Sequence, residues 1–361
     1  MAKKKSDLSR AFSEDGALKT HVGGQALLEG IMMRGRYNWS VAVREPDGGI
    51  YTEEHDLASG KRKNRWLYWP LIRGCRAFVE SLVLGYKALS VAAEHAFPED
   101  EEDESAGESA ASSAAKKEKE SSGGGLSQGE MVLSMVVGLV LGIALFIVAP
   151  AFLTNLIVGE YDGATLTWNI VDGLLRIAVF VLYIWLIGRM DDIDRMFGYH
   201  GAEHKTIHCY EHGLPLTPEN ARSFPRLHVR CGTAFLIMVM IIAIFVYTVT
   251  PLNGIIAAWG IPDGAPKLAF VIAARIVLMP VIAGVSYEIT VKWAGSHPEN
   301  PLVKIVLWPG LQMQYLTTRE PDDGELECAI AAMKLVLERE EAEAAARANE
   351  ATETVTAEVA A

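Results

Sequence analysis

Apolar residues in this chain gather into four long blocks, with the charge held between them. They are "MVLSMVVGLVLGIALFIVAPAFLTNLIV" (131–158), "WNIVDGLLRIAVFVLYIWLIG" (168–188), "TAFLIMVMIIAIFVYTVT" (233–250) and "KLAFVIAARIVLMPVIAGVSY" (267–287). A helix needs about 20 mostly apolar residues to cross ~30 Å of hydrocarbon, because no water is there to satisfy its backbone. The blocks therefore predict four membrane spans. The third is short, and Leu252 with its neighbours could extend it. The competing reading is a set of buried core helices in a soluble protein.

Outside the blocks the period changes. Residues 20–65 read as a small β-rich unit, in which "NWSVAVRE" and "IYTEE" alternate around the turn "PDGG". Residues 66–97 are amphipathic but too often interrupted by Arg73, Arg76, Glu80 and Lys87 for a span. With Trp66, Tyr68 and Trp69 at headgroup level, they predict an interfacial helix. Residues 98–129, acidic and then Lys/Ser/Gly-rich, read as a flexible linker, and 1–19 as a basic tail. The bundle fills 131–321, a C-terminal amphipathic helix 322–347, and a disordered tail 348–361. The fold class expected is mainly α: an integral membrane four-helix bundle with an interfacial helix and a small N-terminal cytoplasmic β unit.

Loop charge orients the bundle. The loops at 159–167 and 251–266 carry no Lys or Arg, whereas 189–232 carries Arg189, Arg195, Lys205, Arg222, Arg226 and Arg230. Both termini and the 189–232 loop are therefore expected on the cytoplasmic side. The basic start "MAKKKSDLSR" has no apolar stretch after it, so no cleavable signal peptide is expected. The net charge of −12 leaves no basic field for nucleic acid. Four cysteines (Cys75, Cys209, Cys231, Cys328), none in a CxxC pair, do not form a disulfide framework.

The candidate chemistry lies in "MFGYHGAEHKTIHCYEHG" (196–213). Within it "HGAEH" has the pattern H-x-x-E-H, which on a helix puts His200 and His204 on one face, with Glu203 beside them. This is the reversed form of the zinc-peptidase motif. Zinc there would lower the pKa of its water, and Glu203 would take the proton as general base. The competing reading is a solvated, His-rich helix start. Catalytic zinc takes three protein ligands, and Glu288, at the cytoplasmic end of the fourth block, is the first candidate for the third. His228 and Cys231, in "RLHVRCGT", are its rivals and would instead close a structural site. His208 continues the four-residue rhythm, but three ligands along two turns of one helix rarely converge on one ion. His212 reads as surface.

Asp172, Arg176 and Arg275 are ionisable residues inside spans. Intramembrane charge marks a functional site or an interhelical ion pair. In "VGGQALLEGIMMRG" (22–35) the glycines fit neither the dinucleotide nor the P-loop pattern. They suit tight strand packing, and Gln25, Glu29 and Arg34 could form a polar edge near the metal site.

Taken in order, "GGQALLEGIMMRG", "PLIRGCRAFVESLVLGYKAL", "GYHGAEHKTIHCYE", "RLHVRCGTAFL", "PVIAGVSYE" and "WPGLQMQYLTTREPDD" resemble the YqhQ-like bacterial family of multipass membrane proteins. That family is a domain of unknown function that carries the label of predicted metal-dependent enzyme. The resemblance covers most of 20–335. It implies a bacterial cell membrane and a metal carried by His200, Glu203 and His204, and it brings no substrate.

The leading expectation is a zinc-dependent hydrolase at the cytoplasmic membrane face. Its substrate is a peptide or a lipid, the peptide being favoured because the reversed motif is best known in peptidases. The rivals are a membrane scaffold with a structural metal site and a small transporter using Asp172, Arg176 and Arg275. With so few spans, a transporter would have to be a homo-oligomer. Besides substrate, the partners expected are the lipid bilayer and no nucleic acid.

Overall fold

The computed structural model describes residues 10–11, 22–57, 64–96, 128–161, 165–294, 296–297 and 300–359. The basic tail expected at 1–19 and the linker expected at 98–129 lie almost wholly outside the described residues.

Four strands form an antiparallel meander in chain order: β1 (Gly23–Leu27), β2 (Gly30–Arg34), β3 (Asn38–Arg44) and β4 (Ile50–Asp56). The β3–β4 register, Asn38↔Asp56 through Arg44↔Ile50, closes on the expected Pro-Asp-Gly-Gly turn, with Gly48 at φ 89°. Successive side chains in a strand point to opposite faces, and here both faces are covered. Leu27, Met32, Trp39, Val41 and Val43 pack on Leu84, Ala88, Ala92 and Ala96 of helix α1 (Ile72–Ala96). Ile31, Met33 and Ala42 pack on the opposite side. Their partners are Leu326, Ala329, Ala332, Met333 and Val336 of the C-terminal helix, together with Tyr199, Ala202 and Cys209 of the His-rich helix. The sheet is thus the middle of a three-layer unit built from both ends of the chain.

The other helices are α2 (Gln128–Ile143), α3 (Ala149–Val158), α4 (Thr165–Ile187), α5 (Asp191–Glu211), α6 (Pro218–Arg222), α7 (Gly232–Val249), α8 (Leu252–Trp259), α9 (Ala265–Tyr287), α10 (Pro301–Thr317) and α11 (Asp323–Val359). A π-turn, Ala144–Val148, joins α2 to α3, and another, Glu288–Ala294, extends α9.

Three helices are long and apolar enough to cross a membrane: Val132–Val158, Thr165–Ile187 and Ala265–Ala294. Their outer faces carry bare Leu133, Leu139, Leu141, Leu156, Ile157, Leu174 and Val277, an apolar surface suited to lipid. The expected third block qualifies only as a bent pair. Phe235–Val249 and Leu252–Trp259 meet at 49°, where Pro251 lacks an N–H and disfavours a helical Thr250.

Helix α1 links the two regions. Its end half packs on the sheet, while Gly74 lies against Gly284 and Tyr287 of the α9 segment. Phe78, Val79, Leu82 and Val83 remain exposed along one side, continuing Trp66 and Trp69.

Helix α11 opens on a capping box: Asp322 Oδ1 accepts from Glu325 N (2.8 Å) and Glu325 Oε2 from Asp322 N (2.9 Å). It runs to Val359, beyond the boundary at 347, through the helix formers of "EAEAAARANEATETV".

Burial pushes the Glu325 carboxyl up to about 7. A carboxyl raised above its unfolded value of 4.5 gives stability that is complete below pH 4.5 and lost as pH rises through 7. Glu325→Gln is therefore expected to melt increasingly above wild type as pH rises from 5 to 8. The difference is on the order of 3 kcal/mol, read from parallel thermal melts in detergent.

Candidate metal centre

Helix α5 begins with Asp191, Asp192 and Asp194 in its first turn, where the helix dipole favours negative charge. It then enters the interior, and every residue from Phe197 to Cys209 is buried. Among them are His200, Glu203, His204, Lys205 and His208, polar groups that cost several kcal/mol each if buried without partners. Gly201 lets the chain from α10 to α11 pass close by, since a Cβ there would clash with the Arg319 carbonyl oxygen.

The partners come from the segment between α6 and α7 and from the end of α10. Nδ1 of His200 donates to the Thr317 carbonyl (2.7 Å), and Nδ1 of His204 to the Arg226 carbonyl (2.6 Å). These bonds place the Nδ1 proton of each ring and turn both Nε2 atoms inward, the orientation found in metal-ligating histidines. Nε2 of His200 faces Cys231 Sγ at 3.2 Å. Nε2 of His204 is buried with no hydrogen-bond partner. Cys231 caps α7, and its sulfur accepts from Thr233 N at 3.4 Å. One ligand atom from each of His200, His204 and Cys231 lies within 4.8 Å of the others. An orphaned imidazole nitrogen beside a second imidazole and a sulfur suits a borderline-soft cation such as zinc.

Charge follows the same geometry. Burial alone would raise the Cys231 thiol, but His204 and His200 outweigh it and hold it well below its usual range. Burial likewise opposes a charge on His200, yet the Cys231 thiolate pushes that imidazole up to about 9. The pair thus keeps its proton on nitrogen and its negative charge on sulfur, so a divalent cation and that proton compete for the same two atoms.

Glu203, on the same helix, is held from the sheet: its Oε1 accepts from Gly24 N at 2.8 Å. Burial pushes its carboxyl up, against the pull of His204 and His200. Only glycine fits opposite it, because a Cβ on Gly24 would lie 2.8 Å from Glu203 Cδ and 2.8 Å from the Met32 carbonyl oxygen.

A second ligand-type group adjoins the first. His208, Glu211 and His228 also bring ligand atoms within 4.8 Å of one another, and the His228 ring lies 5.6 Å from that of His204. Here the Arg230 guanidinium already sits on Glu211, 3.5 Å from His228 Nε2. Burial, then the charges of His208, Arg230 and His204, hold His228 well below its usual range and so neutral.

The remaining sequence candidates lie elsewhere. Glu288 is paired with Arg73 of α1 (Nε to Oε1 2.7 Å) and accepts from Leu71 N, with no place in either ligand group. Its cost at the end of a span is met by that arginine rather than by a metal. Arg34 pairs with Glu80 (3.0 Å), Gln25 packs on Gly85, and Glu29 binds Arg195 through both oxygens. These three pin the β1–β2 hairpin to α1 and α5. Asp172, Arg176 and Arg275 form a separate cluster within the spans. His212 is exposed.

Several supporting residues carry no motif of their own. Gln314, fully buried, accepts from His228 N and donates to the His228 carbonyl, both at 2.8 Å. Lys205 donates to the carbonyls of Arg222 (3.1 Å) and Phe224 (2.6 Å) and pairs with Glu320 (2.9 Å). Together they hold the segment that carries Arg226, His228 and Cys231.

Gln314→Leu is expected to strand two buried backbone groups at His228. The cost is roughly 2–6 kcal/mol, measured as a lower melting temperature in detergent.

Residues 69–339 match the family model described as "Protein of unknown function (DUF1385)". The chain is 31% identical over 324 residues to "Uncharacterized protein YqhQ" of Bacillus subtilis (strain 168), covering 88% of this chain and 92% of the relative. No solved structure matches. The matched stretch holds both ligand groups and all the apolar helices, and the chain belongs to the DUF1385 family.

Proposed function

We propose that this protein is a metal-dependent hydrolase of the membrane, with His200, His204 and Cys231 holding a zinc-like cation and Glu203 acting as the proton acceptor. The observation that carries this reading is the buried, unpartnered Nε2 of His204, facing the same space as His200 and Cys231. Cys231 thereby takes the ligand position that the sequence suggested for Glu288.

Three protein donors leave a fourth position for water or substrate, the pattern of catalytic zinc. When bound, such a cation supplies Lewis acidity, acidifying water and stabilising negative charge on oxygen. The chain's own groups supply the rest. The Thr317 and Arg226 carbonyls hold the two imidazoles in one orientation, and the Gly24 N–H holds Glu203 beside them. The carboxylate accepts a proton from water and returns it to the leaving group. The substrate proposed is an acyl compound of the bilayer region, peptide or lipid.

The membrane arrangement belongs to the same proposal. The helices α2–α3, α4, α7–α8 and α9 would form four spans, with α5, the sheet and both termini on the cytoplasmic side. The absence of Lys and Arg from 159–167 and 251–266 supports this orientation.

A second reading is favoured by the depth of the group: His204 is 1% exposed and His228 stands next to it. If His228 turned to supply a fourth donor, the site would be closed and the protein a membrane scaffold.

Metal content per chain separates these readings. Purified wild type is expected to carry about one zinc, lost in His204→Ala and Cys231→Ala and kept in Glu288→Ala and His228→Ala. Glu203→Gln is expected to keep the metal and to lose about 100-fold or more in turnover of an ester or peptide probe. Loss of metal in His228→Ala supports the scaffold, and full metal in Cys231→Ala sinks the proposed donor set.

A further inference from the structure

At the far ends of the apolar helices from α5, four polar side chains meet. Asn169, Asp172 and Arg176 lie on α4, and Arg275 on α9. Arg275 donates to Asp172 Oδ2 through one terminal nitrogen and to Asn169 Oδ1 (2.6 Å) through the other. Arg176 donates to the same Asp172 Oδ2 at 3.2 Å. The Arg275 guanidinium lies 4.3 Å from the ring centre of Tyr247 on α7 and 4.7 Å from that of Trp168. All four residues are at least nine-tenths buried, Arg275 completely.

Two guanidinium groups share one carboxylate, so the cluster carries a surplus positive charge. No neighbour cancels it among the described residues. Helices α3 and α7 contain no Asp or Glu, and Asp172 is the sole acid of α4. Glu160 and Asp263, at the mouth of the bundle, share Lys267; both carboxylates reach solvent, which screens their spare charge from Arg275, two turns further along α9. The rings of Tyr247 and Trp168 offset part of the charge through their negative faces. An unpaired ion in so apolar a place is costly.

Hydrogen bonding is unbalanced in the same sense. Buried without partners are the donors Arg176 Nε, Arg275 Nε and Asn169 Nδ2, against a single acceptor, Asp172 Oδ1. Water would satisfy donors but leave the charge. A singly charged oxyanion answers both, with its negative charge against the surplus and its several oxygens against three N–H groups.

We infer that Arg176, Arg275 and Asn169 form an anion-binding site within the membrane-facing helices, and that its ligand is a phosphate group, either the phosphodiester of an anionic lipid or a free phosphate. Asn169 and Asp172 lie about 6 and 10 Å along α4 from its start, within reach of a headgroup drawn inward. The site stands apart from the His200–His204–Cys231 group and does not depend on the activity proposed for it.

The test uses the full chain. Thermal melts are recorded in phosphatidylcholine nanodiscs with and without phosphatidylglycerol, and in neutral detergent with inorganic phosphate replacing chloride at constant ionic strength. Wild type is expected to gain stability from at least one phosphate source. Protection by phosphatidylglycerol alone identifies a lipid headgroup, and protection by inorganic phosphate identifies a free oxyanion. Arg176→Gln, which removes the surplus charge, is expected to bind at least tenfold more weakly, and Arg176→Lys to keep most of the affinity. Asp172→Asn, which increases the surplus, is expected to bind more tightly, and it decides the matter if Arg176→Gln does not fold. Wild type unmoved by both sources, or Arg176→Gln protected as well as wild type, overturns the inference. So does folded Asp172→Asn showing no gain in binding.

Discussion

A polar helix inside a protein is stable only if each of its side chains finds a partner there, and α5 imposes that demand on everything around it. Its histidines, glutamate and lysine face inward over four turns. The surrounding chain is arranged to receive them. The Thr317 carbonyl, at the end of α10, takes His200, and the Arg226 and Leu227 carbonyls take His204 and His208. The Gly24 N–H takes Glu203. Among the buried atoms of α5 without a hydrogen-bond partner is His204 Nε2, next to a cysteine sulfur. That unpaired nitrogen, in a group otherwise so fully supported, is what favours the metal-binding proposal over a purely structural polar core.

The same constraint ties the sheet to the apolar helices. Glu203 needs β1 close by, and the sheet is held there from both faces, by α1 on one side and by α5 with α11 on the other. Helix α1 in turn rests on the α9 segment at Gly74 and Gly284, where Arg73 meets Glu288. The end of an apolar helix and the ligand group are therefore joined through two layers of packing. Arg34–Glu80 and Arg195–Glu29 brace the same hairpin from each side.

Much of this was legible in the chain. The apolar blocks marked the long helices because the backbone requirement of a bilayer leaves no other pattern of that length. The Pro-Asp-Gly-Gly turn marked β3 and β4. The H-x-x-E-H spacing put His200 and His204 on one face. The bend at Pro251 was visible only as a short block. Which of Glu288 and Cys231 lies beside the two histidines was not legible, because each is on an element whose distance from α5 is set by packing. Arg73, 215 positions away, takes Glu288, and the α6–α7 segment, clamped by Gln314 and Lys205, delivers Cys231.

Local chemistry thus determined which segments are helix, strand or membrane-length, and which side chains are able to bind a cation or carry charge. Tertiary structure decided which of those side chains meet. Helical spacing is a short-range property, readable in a few residues. A three-donor group, or two arginines sharing one aspartate, requires side chains on separate elements to meet across 31 and 103 positions of sequence. Which polar atoms remain unpaired is known only after all the others have found partners.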